Sequence, residues 1–357
     1  MEVRARIKAR ALTLGATIVL ALALMAASAP GAGAFVYWSN LGGKTIGRAN
    51  LNGSGVHSKF IAGAHYPEQI AVGGGHIYWA NFGAGSIGRA NIDGTGVKQG
   101  FIVTTGHRPE GVAVDGAHVF WTNEDNGHGN TIGRANLNGT GVKENFITDP
   151  NGPFQLAVDS GHIYWTSCCD IGRANLDGSD AKPAFIDDPG SDTPGAIAVD
   201  AAHIYRTTSC RGWIERADID GNNLKTHFLN ANCPNGVAVD GAHIYWSAAF
   251  GDFQQAIARA NLDGSGTKPS FITGQPDPYG VAVDGLSGPG PAHCVVPKLK
   301  GKKLRKAKKL LRRAHCRLGK VKRRKSKRRP GRVISQKPKP GRVLAPRAKV
   351  SVVVSKR

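Results

Sequence analysis

Residues 132–146, Ile-Gly-Arg-Ala-Asn-Leu-Asn-Gly-Thr-Gly-Val-Lys-Glu-Asn-Phe, are one copy of a motif that occurs six times in the chain. Its arginines are spaced by 41, 45, 39, 43 and 43 residues and are Arg48, Arg89, Arg134, Arg173, Arg216 and Arg259. Each copy predicts two strands joined by a two-residue Asn-Gly or Asp-Gly turn, because these residues tolerate positive φ. A period of about 40 residues with strand-like content indicates a four-stranded β-propeller blade.

Two further strands precede each copy. One is apolar and ends in Ala-Val-Asp, as at 113–115, and the other reads His-Ile-Tyr-Trp, as at 162–165. The blade is therefore an antiparallel meander of four strands, which we call A, B, C and D in chain order. The first strand, 35–38, is of type B, and the last, 281–284, is of type A. We predict that the last strand completes the first blade, so that six blades close into a ring without open sheet edges.

The sequence Ile-Tyr-Trp-Thr followed by Ile-Gly-Arg-Ala-Asn-Leu-Asp-Gly resembles the YWTD blade of the low-density-lipoprotein-receptor type of six-bladed propeller. The resemblance covers residues 35–285 and implies an all-β fold with Velcro closure. Blade 5 departs from it, because Arg206 replaces the tryptophan. No blade has the aspartate that follows Tyr-Trp-Thr in that family, so the family's ligand sites are not transferred. The residues at that position are Asn40, Asn81, Asn123, Ser167, Thr208 and Ala248.

Residues 1–34 are predicted to be a secretion signal. A basic start is followed by an apolar run at 11–27, which is short for a membrane span, and 32–34 offer an Ala-x-Ala cleavage site. An uncleaved anchor is the alternative. We predict a propeller at 35–285, a linker at 286–293 and a C-terminal domain at 294–357.

The C-terminal region carries the charge of the protein. Residues 286–357 contain 27 Lys and Arg and no Asp or Glu, whereas 35–285 contain 16 basic and 24 acidic residues. Val-Pro-x-Leu-x-Gly at 296–301, a helical apolar stripe at 304–314, and Gly-x-Val-x-x-Gln-x-Pro-x-Pro-Gly at 331–341 appear in order before a valine-rich strand. This pattern resembles a PASTA domain, which implies a bacterial, extracytoplasmic, cell-wall-associated α+β module.

All six cysteines follow the predicted signal, in agreement with an oxidising compartment. We predict disulfides between Cys294 and Cys316 and between Cys210 and Cys233. Cys168 and Cys169 are adjacent and form either a vicinal disulfide or a bridge to blade 5. A metal site is not expected, because adjacent cysteines lack the spacing of zinc ligands.

Variation in loop length points to one face of the propeller. The A–B and C–D turns have constant length, whereas the B–C and D–A loops vary, and loops on a rigid scaffold commonly carry binding sites. Residues before strand A should surround the mouth of the central channel on that face. The candidate ligand-binding residues are Glu68, Glu110, Phe154, Asn235 and Tyr279, with Asp125 and Asp252 from the long B–C loops. Solvated loop residues are the structural alternative.

Two functions remain open at this stage, and a third is not expected. The first is a secreted, non-enzymatic binding protein whose propeller recognises an extracellular ligand and whose C-terminal domain binds an anionic envelope polymer. The second is a propeller enzyme of the lactonase, lyase or hydrolase type. Nucleic-acid binding by 322–329 is not expected, because aromatic residues are not interleaved and a signal would export the chain. No cofactor motif is present, and we expect no cofactor.

Overall fold

The computed structural model describes residues 34–105, 107–124, 130–167, 170–187, 195–208, 211–248, 255–284, 294–314, 316–326, 329–339, 343–344 and 349–356. Residues 35–283 form six four-stranded antiparallel sheets, as predicted. The inner strand of each sheet contacts the inner strands of both neighbours, which arranges the sheets as blades of a ring.

The strands follow one another in the predicted A–B–C–D order. Blade 1 begins with β1 (Phe35–Asn40), β2 (Thr45–Asn50) and β3 (His57–Ala62). Blade 2 contains β4 (Pro67–Gly73), β5 (His76–Asn81), β6 (Ser86–Asn91) and β7 (Lys98–Val103). Blade 3 contains β8 (Arg108–Val114), β9 (His118–Glu124), β10 (Thr131–Asn136) and β11 (Lys143–Thr148).

The remaining blades repeat this arrangement. Blade 4 contains β12 (Leu156–Val158), β13 (His162–Thr166), β14 (Asp170–Asn175) and β15 (Lys182–Asp187). Blade 5 contains β16 (Ile197–Val199), β17 (His203–Thr208), β18 (Trp213–Asp218) and β19 (Lys225–Asn230). Blade 6 contains β20 (Pro234–Val239), β21 (His243–Ala248), β22 (Ala256–Asn261) and β23 (Lys268–Thr273).

The ring closes through the last propeller strand, β24 (Pro278–Val283), which pairs antiparallel with β1. Val36 lies opposite Val283, and Trp38 lies opposite Val281. The resulting sheet has the order β24–β1–β2–β3, so the first blade is built from both ends of the propeller sequence. The predicted closure is confirmed.

The tryptophan of strand B and the glycine of strand C form one packing unit. Trp38, Trp79, Trp121 and Trp165 are fully buried, and each lies opposite the glycine of the neighbouring strand. A Cβ atom on those glycines would lie 2.1–2.2 Å from the indole Cε2. The close approach of the indole ring therefore leaves no room for a Cβ atom in these four blades, whereas in blade 6 an alanine, Ala258, lies opposite Trp246.

Blade 5 replaces both members of this unit. Arg206 stands in the tryptophan position and Glu215 in the glycine position directly opposite. Both residues are buried, and the Arg206 guanidinium donates hydrogen bonds to the Glu215 carboxylate. In blade 5 an ion pair therefore takes the place that a tryptophan packed against a glycine has in blades 1 to 4.

The repeated Arg and Asp residues make the structural contacts expected of a scaffold. In all six blades the guanidinium of strand C stacks on the phenylalanine of strand D at 3.7–4.4 Å from the ring centroid. The aspartate that follows strand A caps the A–B turn in four blades, as where Asp240 accepts hydrogen bonds from the backbone of Ala242 and His243. Both groups therefore make contacts within their blades, and Arg89, Arg216 and Arg259 also donate a hydrogen bond to a carbonyl of the next blade.

The C–D connection is longer than predicted. Strand β2 ends at Asn50 and β3 begins at His57, so six residues separate the strands instead of two. Gly53 does adopt the positive φ, 86°, that the Asn-Gly pair suggested. The Asn50 side chain binds the Ser54 hydroxyl and closes the wider loop. A register shift between Ile46 and Arg48 accompanies it.

The second region combines one helix with short strands. Its elements are β25 (Cys294–Val295), α1 (Leu304–Arg313), β26 (Arg317–Lys325), β27 (Val333–Lys337), β28 (Val343–Leu344) and β29 (Lys349–Lys356). β29 lies between β26, to which it is parallel, and β27, to which it is antiparallel. The predicted apolar stripe of α1 packs through Ala307 and Leu311 against the valines of β29.

The cysteine predictions have different outcomes. Cys233 is a free thiol, which disagrees with the predicted Cys210–Cys233 disulfide. The two loops do lie side by side, because a Cβ atom on Gly212 would be 3.6 Å from the backbone nitrogen of Cys233. The two loops therefore lie close together, as predicted, but Cys233 forms no disulfide bond. Cys168, Cys169 and Cys210 lie outside the described residues, and the Cys294–Cys316 pairing stays a prediction.

Residues 1–33 of the predicted signal (1–34) and the predicted linker at 286–293 also lie outside the described residues. In the part of the chain that the structure does describe, no helix is long and apolar enough to cross a membrane.

Candidate functional site

Five of the predicted binding residues occupy equivalent positions at one end of the channel. Each follows a proline that stands at or just before the inner strand of its blade. In ring order from blade 1 these residues are Tyr279, Glu68, Glu110, Phe154 and, in blade 6, Asn235; blade 5 has Gly195 at this position. The mouth is therefore acidic on one side, next to Tyr279, and apolar or neutral on the other.

Hydroxyl groups hold this ring in place. Ser39 of blade 1 accepts a hydrogen bond from the Gly280 amide at 2.7 Å and donates one to the Glu68 carbonyl of blade 2 at 2.5 Å. Thr122 of blade 3 bridges Gly111 and Phe154 in the same way, at 2.7 Å each. The same inter-blade bond is donated by Thr166 to Gly195, by Thr207 to Asn235 and by Ser247 to Tyr279.

Blade 2 has no such hydroxyl, because Ala80 occupies the position. Here the Gln69 side chain makes the connection. Its carbonyl oxygen accepts hydrogen bonds from the amides of Val112 and Leu156 at 2.9 and 3.2 Å, and its nitrogen donates to the Leu156 carbonyl at 2.9 Å. Gln69 therefore joins blade 2 to blades 3 and 4 and fixes the backbone beneath the acidic side of the mouth.

The acidic residues at the mouth influence one another electrostatically. Burial raises the pKa of Glu68 well above its usual value, and the charges of Glu110 and Glu124 raise it further. Burial, followed by the charge of Glu124, raises the pKa of Glu110 to about 8. Tyr279 also has a raised pKa because of burial and the charges of Glu68 and Glu110. Desolvated carboxyl groups that repel one another favour protonation or a bound cation.

Two buried side chains near the mouth retain unused hydrogen-bonding capacity. One carboxylate oxygen of Glu68 and both polar atoms of the Gln155 side chain have no hydrogen-bond partner among the described residues. Gln155 is 1% exposed and Glu68 is 9% exposed. Buried polar atoms of this kind are normally paired, so they identify the mouth as a place for a polar ligand or water.

Below the mouth the channel is apolar. Residues of all six inner strands, such as Ile70, Val112, Leu156 and Val283, line a cavity of about 220 Å³. The described residues that line this cavity carry no charged side chain, and the carboxylates near the propeller axis lie at the mouth.

The structure brings together only part of the predicted site. Glu68, Glu110 and Tyr279 interact electrostatically. Phe154 and Asn235 flank this group in blades 4 and 6 and add no charge to it, and Asp125 and Asp252 are outside the described residues. Glu124 joins the acidic group, and Gln69 and Gln155 were missed. The sequence does contain a signal for the two glutamines, because they fill a position that is Gly or Ala in the other blades.

No three His, Cys, Asp or Glu side chains among the described residues are arranged to hold a metal ion. The arrangement at the mouth can instead bind a positively charged organic group through carboxylates. It can also donate a proton from a carboxylic acid that is neutral near pH 7.

The fold and the mouth define a six-bladed β-propeller with an acidic channel entrance, followed in the chain by a small basic α+β domain. Residues 295–356 match the PASTA domain family. None of the curated protein sequences matches the chain.

Two solved structures are similar to the propeller. One is the crystal structure of a nidogen/laminin complex, with a TM-score of 0.58 and 19% identity over 70% of this chain and 98% of that chain. The other is a streptogramin B lyase, with a TM-score of 0.51 and 17% identity over 70% and 83% of the two chains. At these identities the similarity shows the propeller fold alone.

Proposed function

We propose that the chain is a secreted, non-enzymatic binding protein of the bacterial cell envelope. The basic PASTA domain associates with an anionic envelope polymer, and the propeller presents its acidic mouth to a ligand that carries a positive charge. The observation that carries this proposal is the separation of charge. Residues 286–357 contain 27 basic and no acidic residues, whereas the propeller has an excess of acidic residues. A surface of one sign attracts polymers of the other sign.

Association with the envelope can be tested with the chain from residue 35 onward and isolated bacterial envelopes. We expect the protein to pellet with envelopes at about 50 mM NaCl and to be released near about 1 M, because salt screens exposed charges. Neutralising four exposed residues of β26 (K322Q/R323Q/R324Q/K325Q) should lower the salt concentration of release. Retention at molar salt would instead indicate a specific saccharide pocket.

Ligand binding at the mouth can be tested with trilysine as the probe, measured by calorimetry. Trilysine should bind more tightly as pH rises from 6 to 9, because the Glu110 carboxyl, with a pKa of about 8, is neutral at the lower end and charged at the upper end. E68Q/E110Q should abolish this pH dependence. D177N/D263N neutralises two exposed carboxylates in C–D turns, at the other end of the blades, and should bind trilysine like the unaltered protein. Equal losses in both variants would contradict the proposed site.

An enzymatic function is the second candidate, and one observation favours it. A carboxylic acid with a pKa of about 8 beside further carboxylates suits general acid catalysis at neutral pH. Its test is incubation with lactones and cyclic depsipeptides, including a streptogramin B, because one similar fold belongs to a streptogramin B lyase. Turnover that is lost in E110Q while the fold is retained would favour the enzyme over the binding protein.

A further inference from the structure

We propose that a pocket in the C-terminal domain binds the phosphate groups of a phosphodiester-linked envelope polymer. The pocket has a volume of about 390 Å³ and is lined by Lys300, Gly301, Lys302, Lys303, Lys306 and Arg332. Five of these six residues are cationic. The inference deepens the proposed envelope association and rests on it, since it names the residues and the chemical group through which the domain would bind.

The pocket is built on a fixed backbone. The Gly301 amide donates a hydrogen bond to the Val333 carbonyl at 2.8 Å, and the Val333 amide donates one to the Lys302 carbonyl at 2.9 Å. Arg332 donates from Nη1 to the Gly301 carbonyl at 2.8 Å. Gly301 adopts a φ of 87°, which favours glycine at the bend. The cationic side chains therefore extend from a loop that is already ordered, so little backbone entropy is lost when an anion binds.

The start of α1 adds to the positive potential of the pocket. Lys303 is the N-cap residue of this ten-residue helix, makes no capping hydrogen bond, and is followed by no acidic residue in the first turn. Helix N-termini are normally stabilised by acidic or hydroxyl side chains, because the first amides and the helix dipole are positive there. Lys303 and Lys306 have the unfavourable sign at this end, and a bound anion would offset their repulsion.

No carboxylate of the domain can neutralise these cations, because residues 286–357 contain no Asp or Glu. Five cationic side chains exceed what a single anionic group would balance, which favours a polymer with repeated charges. A phosphodiester carries one negative charge, like a carboxylate, but has two ester oxygens in addition to its two charged oxygens, and lysine binds phosphate well as a point charge. A polymer with phosphate in every repeat could also contact the exposed basic residues of β26, which makes a phosphodiester chain a better match than isolated carboxylates.

The test uses the chain from residue 35 onward and a glycerol-phosphate oligomer of defined length, with hyaluronate of equal total charge as the carboxylate comparison. We expect K302Q/K306Q to weaken oligomer binding by about tenfold or more, because two charge-assisted contacts are lost. The matched variant K337Q/K339Q removes the same charge at the end of β27, outside both the pocket and β26, and should weaken binding by about threefold or less. Hyaluronate should respond similarly to both variants.

Each outcome decides between the two proposals. If both variants lose oligomer affinity equally, binding is distributed over the surface and the pocket is not a site, although envelope association stands. The pocket is also rejected if the protein pellets with envelopes but does not bind the oligomer. If it binds neither, the proposed envelope association fails as well. A bilayer containing phosphatidylglycerol tests the other phosphodiester source, and a preference for vesicles over the oligomer would overturn the polymer assignment.

Discussion

Arg206 and Glu215 stand at positions where a tryptophan faces a glycine in blades 1 to 4 and an alanine in blade 6. The ion pair is 2% and 5% exposed, so both charges have been removed from water. Buried ion pairs recover the lost hydration only when geometry is favourable, and they often contribute little net stability compared with apolar packing. We therefore expect the two residues to depend on each other: either one alone, opposite a residue of the common repeat, should destabilise blade 5.

A double-mutant cycle tests this dependence. R206W and E215G should each lower the free energy of unfolding by about 3–5 kcal/mol, because each removes a residue that forms an ion pair with a buried charge. R206W/E215G restores the unit of the other blades and should be neutral or stabilising by about 1–4 kcal/mol. Urea unfolding followed by circular dichroism measures all four proteins. Additive losses in the double variant would show that the residues are independent.

Some residues of this region could be predicted from the sequence, and others could not. The exchange of Trp for Arg and of Gly for Glu is visible in the repeat, because both positions are occupied by one residue type in most blades. The role of Gln69 is not visible, since it depends on which side chain of one blade reaches the backbone of another. The raised pKa of Glu110 likewise comes from burial beside Glu124, a residue of a different strand.

At the scale of single elements, the inner and second strands are connected by the side chains that follow the tryptophan. The five hydroxyls at this position each accept a hydrogen bond within their blade and donate one to the next. The Thr of the Tyr-Trp-Thr motif is thus an inter-blade connector. The sequence did not predict this role, because the partner of each hydroxyl lies on a strand of the neighbouring blade.

Replacing Thr122 with valine should separate this polar role from packing. T122V keeps the side-chain shape but leaves the Gly111 amide and the Phe154 carbonyl without their bond, so we expect a loss of about 2 kcal/mol or more in the free energy of unfolding. T267V changes an exposed threonine of a C–D loop and should alter stability by about 0.5 kcal/mol or less. Chemical denaturation of both variants provides the comparison. If both variants lose similarly little stability, the hydrogen bond that Thr122 donates to the next blade contributes little to the free energy of unfolding.

The order and type of the strands were predictable, whereas the form of the turns was not. Hydrophobic pattern and period determine which residues belong to A, B, C or D, and all 24 propeller strands follow that order. The C–D connection was predicted too short because Asn-Gly suggested a tight hairpin. In the structure the Asn50 and Asn52 side chains bind Ser54 and stabilise a wider loop, a local competition that the dipeptide alone does not reveal.

At the scale of the whole molecule, the two regions achieve stability by different means. The propeller joins its chain ends within one blade, mixes charges of both signs, and buries five tryptophans. The C-terminal domain has a core of nine buried residues, mainly valines and leucines, beneath a surface whose charged groups are all positive. Repulsion among these groups opposes the compact state, because none of it is relieved by internal ion pairs.

Salt should therefore stabilise the C-terminal domain selectively. Raising NaCl from about 0.05 to 0.5 M shortens the screening length from about 13 Å to about 4 Å, which weakens repulsion between neighbouring Lys and Arg side chains. We expect a gain of about 1 kcal/mol for this domain, seen as about fivefold slower amide hydrogen exchange at Val350, Val352 and Val354. Amides of β5, at the centre of blade 2, serve as the internal control in the same protein and should change less, because the propeller carries charges of both signs. Equal slowing in both regions would point to a general salt effect, and unchanged exchange in β29 would show that the excess positive charge does not limit the stability of this domain.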